Sequence, residues 1–595
     1  MRSRRTTGEN AGSDELQRAI AFLGWGASAE RVVQRGYRVG LGAGLLCAAG
    51  VALGVGPVPG ALVGLVCALA STHVVHRLPI WLATLRRTRA LGAAPGLVGR
   101  LVLRMRLDPS TERAVRFAAR TGDGPLAEEL ARHERGSADA PTSGLRAFAR
   151  EWQPWFPAID RAAALLRTAA SAPAERRGRC LDRALDATIA GTTDRLASFV
   201  GAVRGPVSAL YAFGVLLPMA LIALLPAAAA SGVPVGSGVV AGLYLVVLPV
   251  GLLGASAWLL SRRPVAFAPP SIDADHPDVP GRARLAIAVG VAAGTVAAAG
   301  ATRLVAGWAG PVSGIGVGAG TALLVGVRHR RAVLSEVRAV ERGLPDAMTV
   351  IGGDVAEGAA VETAVANAGE RLDGVTGAVF ERAGRRSETL RVDVREAFLG
   401  RGGPAVSVPS PRVRGAIALL AVAAREGRPA GDVLLELADQ LEDLRGLEAD
   451  ARRQLATVTG TLTNTAAAFA PLVGGATVAL ATGIDTVDAG GLGAGATAGA
   501  DALGIGGTGG VEGADASGVT ADPGGEARGS GTLSVPVLGR IVGAYVLILA
   551  ALLTALATGL ERGFDRTLVA YRVGIALPTA TGTYLVAFVG AGALL

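Results

Sequence analysis

Side chains able to do bond-making chemistry are few and scattered in this sequence. The five histidines are His73, His76, His133, His276 and His329, and no two have a helical metal-ligand spacing with a third ligand close by. Cys47, Cys67 and Cys180 form an odd, unclustered set, which argues against a disulfide framework or a zinc site. The 58 basic residues are all Arg. Without Lys the chain cannot hold a phosphate-binding loop of the G-x-x-x-x-G-K-[ST] type. Gly314-Ile315-Gly316-Val317-Gly318-Ala319-Gly320 has glycines spaced as in a dinucleotide loop, but it lies inside an apolar run with no strand before it. Small residues that let membrane helices pack closely explain it better. Gly352-Gly353-Asp354 has the order of an intramembrane peptidase motif but follows Ile351 in soluble-type helix, and no Ser sits in a G-x-S-x-G elbow. No enzyme activity, cofactor or metal is expected.

What remains is electrostatic. Between Asp432 and Asp450, Leu434, Leu437, Leu441 and Leu444 recur at helical spacing and share one face. Asp432, Glu436, Asp439, Asp443 and Asp450 share the opposite face. Such a stripe is either a solvated helix face or a docking surface for a basic partner.

The elements that must position this helix are membrane spans. The chain has 595 residues, half of them hydrophobic, with a mean hydropathy of +0.44. Several apolar runs approach the length of a transmembrane helix. Arg2, Arg4 and Arg5 lead into polar sequence, so no signal peptide is expected. The fold class expected is all-α: a polytopic membrane protein with about nine transmembrane helices and two cytosolic helical-bundle modules related by an internal repeat. In order come a cytosolic segment (1–38), a transmembrane hairpin (39–75) and a first module (76–204), net basic by about nine charges. A second hairpin (205–260), a loop (261–284) and a third hairpin (285–327) follow. Then come the second module (328–462), a span (463–483), a long loop (484–533) and two final spans (534–595). Arg38, Arg77, Arg204, Arg262, Arg284, Arg328, Arg453 and Arg562 all fall on one side of such a topology. By the positive-inside rule this sets the N-terminus in the cytoplasm and the C-terminus outside the cell membrane. The 484–533 loop has Asp485, Asp488, Asp501, Glu512, Asp515, Asp522 and Glu526 against Arg528. Rich in Gly and Ala and without aromatics, it is expected to be disordered and extracellular. The spans hold almost no ionisable residue, which counts against an ion-coupled transporter.

The two modules align at an offset of about 250 residues. Ala94-Pro95 falls on Leu344-Pro345, and Glu112, Ala114, Val115 and Ala118 on Glu362, Ala364, Val365 and Ala368. After a small insertion Gly178 meets Gly431, Leu181 meets Leu434 and Pro218 meets Pro471.

The Leu344-Pro345-Asp346 opening, Gly358 with Ala359, Val361 and Ala364, and Gly427 to Leu437 leading by a charged helix into Thr463–Pro471 carry a family resemblance. The chain resembles the membrane platform proteins of type IV pilus, archaellum and type II secretion machines, which bear the type II secretion F domain. The resemblance covers 344–480 well and 94–230 loosely. The extra spans and acidic loop look more like archaeal members than bacterial three-span ones. In the first module Asp108-Pro109 stands where Gly358-Ala359 stands in the second. The resemblance implies a scaffold that couples a cytosolic ATPase to extraction of pilin subunits from the lipid membrane, as a homodimer and without nucleic acid. The rival class is a transporter or permease built from two repeats.

Overall fold

The computed structural model describes residues 14–54, 57–122, 124–136, 143–230, 236–263, 283–426, 430–483, 534–563 and 565–594. The regular structure among them is all helical. The 484–533 loop expected to be disordered lies outside the described residues, as does most of the loop at 261–284. The chain divides into two compact units: 1–201 with 258–271 and 335–451, and 202–257 with 272–334 and 452–595.

The first unit opens with α1 (14–23) and the hairpin of α2 (Ala29–Gly54) and α3 (Pro57–Gly92). The first module then runs through α4 (Ala94–Leu107), α5 (Thr111–Thr121), α6 (Pro125–Gly136), α7 (Gly144–Trp152), α8 (Pro157–Ser171) and the start of α9 (Ala174–Tyr211). Local chemistry sets these boundaries. Pro95 and Pro157 stand in the first turns of α4 and α8, where a missing N–H costs nothing. Ser110 caps α5 by accepting from the Arg113 N–H at 3.3 Å. The buried faces meet in one core around Leu97, Leu101, Leu126, Phe148, Trp152 and Leu166.

The second module takes the end of α14 (Ala309–Ala356), α15 (Val361–Arg371), α16 (Gly374–Leu390), α17 (Val394–Leu399), α18 (Pro411–Glu426) and most of α19 (Ala430–Asn464). Its core includes Leu344, Ile351, Phe380, Phe398 and Leu420, with Phe380 and Phe398 edge to face at 5.1 Å. Gly358 ends α14 at a φ of +103°, which an L side chain rarely adopts. Asp354 then accepts from Asn367 at 2.9 Å and Arg371 at 3.2 Å, tying α15 to α14. The Gly352-Gly353-Asp354 triplet is thus part of a helix junction.

In the second unit, α10 (Leu217–Ala230) continues α9 through a π-helical turn at 212–216. A second π turn at 243–247 joins α11 (Ser237–Gly242) to α12 (Leu248–Arg262), and a third at 465–469 joins α19 to α20 (470–483). α13 (Ala283–Leu304), α21 (Val535–Arg562) and α22 (Arg566–Gly592) complete the set. A π turn frees a backbone carbonyl, and side chains of other helices take up two of these. Tyr545 Oη donates to Gly214 O at 2.8 Å, and Thr583 Oγ1 donates to Ala467 O at 3.3 Å. The 314–320 glycines pack helices, as the sequence suggests: a Cβ on Gly294 would fall 2.6 Å from Gly314 O, and one on Gly320 2.5 Å from Pro578.

Eight helices among the described residues are long and apolar enough to cross a membrane. The sequence reading expects about nine. The ninth, Val39–Val55, lies in α2 up to Gly54, with Val55 outside the described residues, and α2 is not among the eight. Gly40, Gly42, Gly44 and Gly50 fall in this helix. Two of them serve packing, since a Cβ on Gly40 or Gly44 would lie 2.7–2.8 Å from a carbonyl of α3.

Candidate functional site

α19 begins with its Leu face inward. Leu434, Leu437 and Leu444 are buried, and Leu441 is partly so. Asp432, Asp439, Asp443 and Asp450 are exposed. Asp432, Asp439 and Asp443 have no ion pair among the described residues, so three uncompensated carboxylates stand on one helix.

Glu436 departs from the expected stripe. The sequence reading sets it outward with the aspartates, but its side chain is only 24% exposed and engages Arg106 of α4. Arg106 also binds Asp182 at the start of α9. The reason is tertiary: the first module packs against α19 within the same unit, and its one guanidinium recruits carboxylates from both modules. Burial is the largest influence on Glu436 and pushes its carboxyl up to about 7; Arg106 opposes this, while Asp182 and Asp439 add to it.

Other side chains tie the same seam. Arg100 of α4 donates to Pro411 O of α18 at 3.3 Å. A Cβ on Gly99 would run into the amide of Gln440, which is 6% exposed and whose Oε1 has no hydrogen-bond partner. Beside it a cavity of about 330 Å³ is lined by Arg100, Leu103, Glu341, Leu419, Gln440 and Leu441. Ser410 Oγ donates to Glu341 at 2.6 Å, and Arg412 pairs with Glu448 at 3.2 Å. The local periodicity of α19 carries no trace of Arg106 or Gly99, because both lie over 300 residues away in sequence.

His133 also gains neighbours that the sequence does not announce. Its ligand atom lies within 4.8 Å of those of Glu129 and Glu151. Nδ1 donates to Glu129 O at 2.9 Å, Nε2 stands 3.0 Å from Glu151, and Arg132 pairs with Glu129 at 2.8 Å. With Arg132 already paired to Glu129 and the His133 ring set between Glu129 O and the Glu151 carboxylate, the group is a polar network joining α6 to α7. The i, i+4 spacing of Glu129 and His133 is the signal that was there to find.

Comparison with family models, with curated proteins and with solved structures finds no match for this chain.

Proposed function

We propose that the chain is the membrane platform of a filament-assembly machine of the type IV pilus and type II secretion kind, as its sequence resemblance implies. The observation that carries the reading is the joining of helical modules to spans by unbroken helix. α19 runs from the acidic stripe, through Arg452 and Arg453, toward the apolar stretch at 463–480. A platform without its own motor receives work by contact, and a continuous helix transmits it better than a flexible linker.

The order of the elements supports an ancestral duplication. In each half a long helix closes the module and enters a π turn, at 212–216 and at 465–469. These turns stand at the same separation as Pro218 and Pro471. In this reading α2 is a ninth span, so both modules lie in the cytoplasm and the C-terminus lies outside the plasma membrane. The partners are a cytosolic hexameric ATPase, pilin subunits and membrane lipid, with the platform acting as a dimer.

The motor contact is assigned to Asp432, Asp439, Asp443 and Asp450; Glu436 serves the seam instead. Reversing Asp432, Asp439 and Asp443 together to Arg is expected to abolish filaments while protein level and membrane insertion stay unchanged. Exposed substitutions of this kind alter stability by about 0.5 kcal/mol each or less. Wild-type filaments in that variant, at wild-type protein level, would leave the stripe as a solvated face.

A further inference from the structure

A second concavity of about 520 Å³ opens where α4 and α5 of the first module meet α17 and α18 of the second. Arg104, Arg113, Arg116 and Arg120 line it from one side of the seam, and Arg395, Arg414 and Arg425 from the other. Its apolar lining includes Phe117, Leu399 and Val422, and no carboxylate lines it. Carboxylates stand at its margin. Asp108 pairs with Arg104 at 3.3 Å and with Arg113 at 2.8 Å. Glu134 pairs with Arg116 at 3.0 Å and Asp393 with Arg425 at 3.3 Å. Asp393 and Glu396 line an adjoining recess. Arg120 and Arg395, one from each module, have no ion pair or hydrogen bond among the described residues, and both are exposed.

Guanidiniums around one hollow repel one another, and Arg120 and Arg395 have no carboxylate partner among the described residues. At physiological ionic strength charges interact over about 8 Å, so the excess is felt across the cleft. A concave wall of low dielectric focuses that field on whatever enters. Folding alone gives no reason for Arg120 and Arg395 here, because both are exposed and make no ion pair among the described residues.

We propose that the cleft binds a phosphate-bearing small molecule of nucleotide size. Its anionic oxygens would be taken by Arg120 and Arg395, and its flat, less polar part would rest on Phe117 and Val422. The volume suits this class, since small-molecule pockets occupy about 300–1,000 Å³. The ligand would tie the two modules together through one guanidinium from each. Nothing in this binding depends on the platform reading.

The test is calorimetric titration of the full chain, purified in detergent, with ATP in the absence of metal. Parallel titrations use inorganic triphosphate, mixed micelles containing an anionic phospholipid, and oligoglutamate. ATP is expected to bind, triphosphate to bind more weakly for want of the apolar contact, and both to weaken as salt rises. Arg120→Gln with Arg395→Gln is expected to reduce ATP affinity about tenfold or more. Its melting temperature without ligand should not fall, as both side chains are exposed and unpaired and their loss relieves repulsion in the cleft. Asp432→Asn with Asp443→Asn, away from the cleft lining, should bind ATP as the parent does. Absence of binding at millimolar ATP, or equal binding by the Arg variant, overturns the proposal. So does a variant-sensitive preference for phospholipid micelles, which would make the ligand a lipid headgroup. Tighter binding of oligoglutamate than of ATP would make it an acidic peptide and also overturn it.

Discussion

Glu436 shows how one side chain changes role when its neighbours arrive from elsewhere in the chain. Its carboxyl is raised from 4.5 to about 7, chiefly by burial. A raised carboxyl pKa means that the folded protein holds the proton more tightly than the unfolded chain does. The stabilising contribution is therefore complete below about 4.5 and is lost as pH rises through about 7. Glu436→Gln removes that dependence. The melting temperature of the parent, relative to the variant, is expected to fall between pH 4.5 and pH 7. A constant difference across that window would show that the carboxyl titrates normally. Glu436→Arg, by contrast, sets a second guanidinium against Arg106 and is expected to loosen the seam at every pH, so it cannot report on motor docking.

Among the elements, α19 was legible in part. Its period of 3.6 correctly set Leu434, Leu437 and Leu444 inside, because burial of an amphipathic helix is governed by its own pattern. The same pattern misplaced Glu436, since Arg106 and Asp182 belong to helices whose approach no local spacing encodes. The π turns escaped the sequence reading as well, for an extra residue in a turn barely disturbs an Ala-rich run. Aligned glycines also differ in what they do. A Cβ on Gly431 would lie 2.6 Å from the Ala356 backbone nitrogen, whereas one on Gly178 would meet nothing within 4 Å. Gly431→Ala is expected to destabilise by about 1–3 kcal/mol through overpacking. Gly178→Ala, inside α9, should stabilise by about 0.5–1 kcal/mol through helix propensity. A denaturation midpoint for Gly431→Ala that rose along with that of Gly178→Ala would contradict the close approach at Gly431.

For the whole molecule, composition alone made the all-helical, many-span character readable, because runs of Ala, Val, Leu and Gly of this length have few other uses. Packing of the two modules into one unit was not readable, since it rests on single contacts such as Arg100 to Pro411. The proposed topology is tested by single cysteines at Ser517 and Thr121 in a chain whose Cys47, Cys67 and Cys180 are replaced. On intact cells an impermeant thiol reagent is expected to label position 517 and to spare position 121. Labelling at 121, or protection at 517, would invert or break the nine-span arrangement. The purified chain is also expected to hydrolyse no ATP, with or without a ligand in the arginine-lined cleft. Turnover that survives removal of contaminating ATPases would reveal chemistry that the absence of Lys argues against.

The π turn at 465–469 sets a phase. Each residue of an α-helix advances about 100° around the axis, so one residue taken into a wider turn rotates everything after it by about that angle. Side chains of α20 therefore point in directions that the period of α19 does not dictate. Deleting Ala467 removes the extra residue and is expected to restore an uninterrupted α-helix; the lost residue and the lost wide turn cancel, so α20 keeps its present phase. Val478 and Ala479 would stay buried, and Leu472 and Leu480 exposed. Accessibility of single cysteines along 472–480 should therefore be the same before and after the deletion, and protected positions displaced by one residue would show that the turn does not absorb the extra residue.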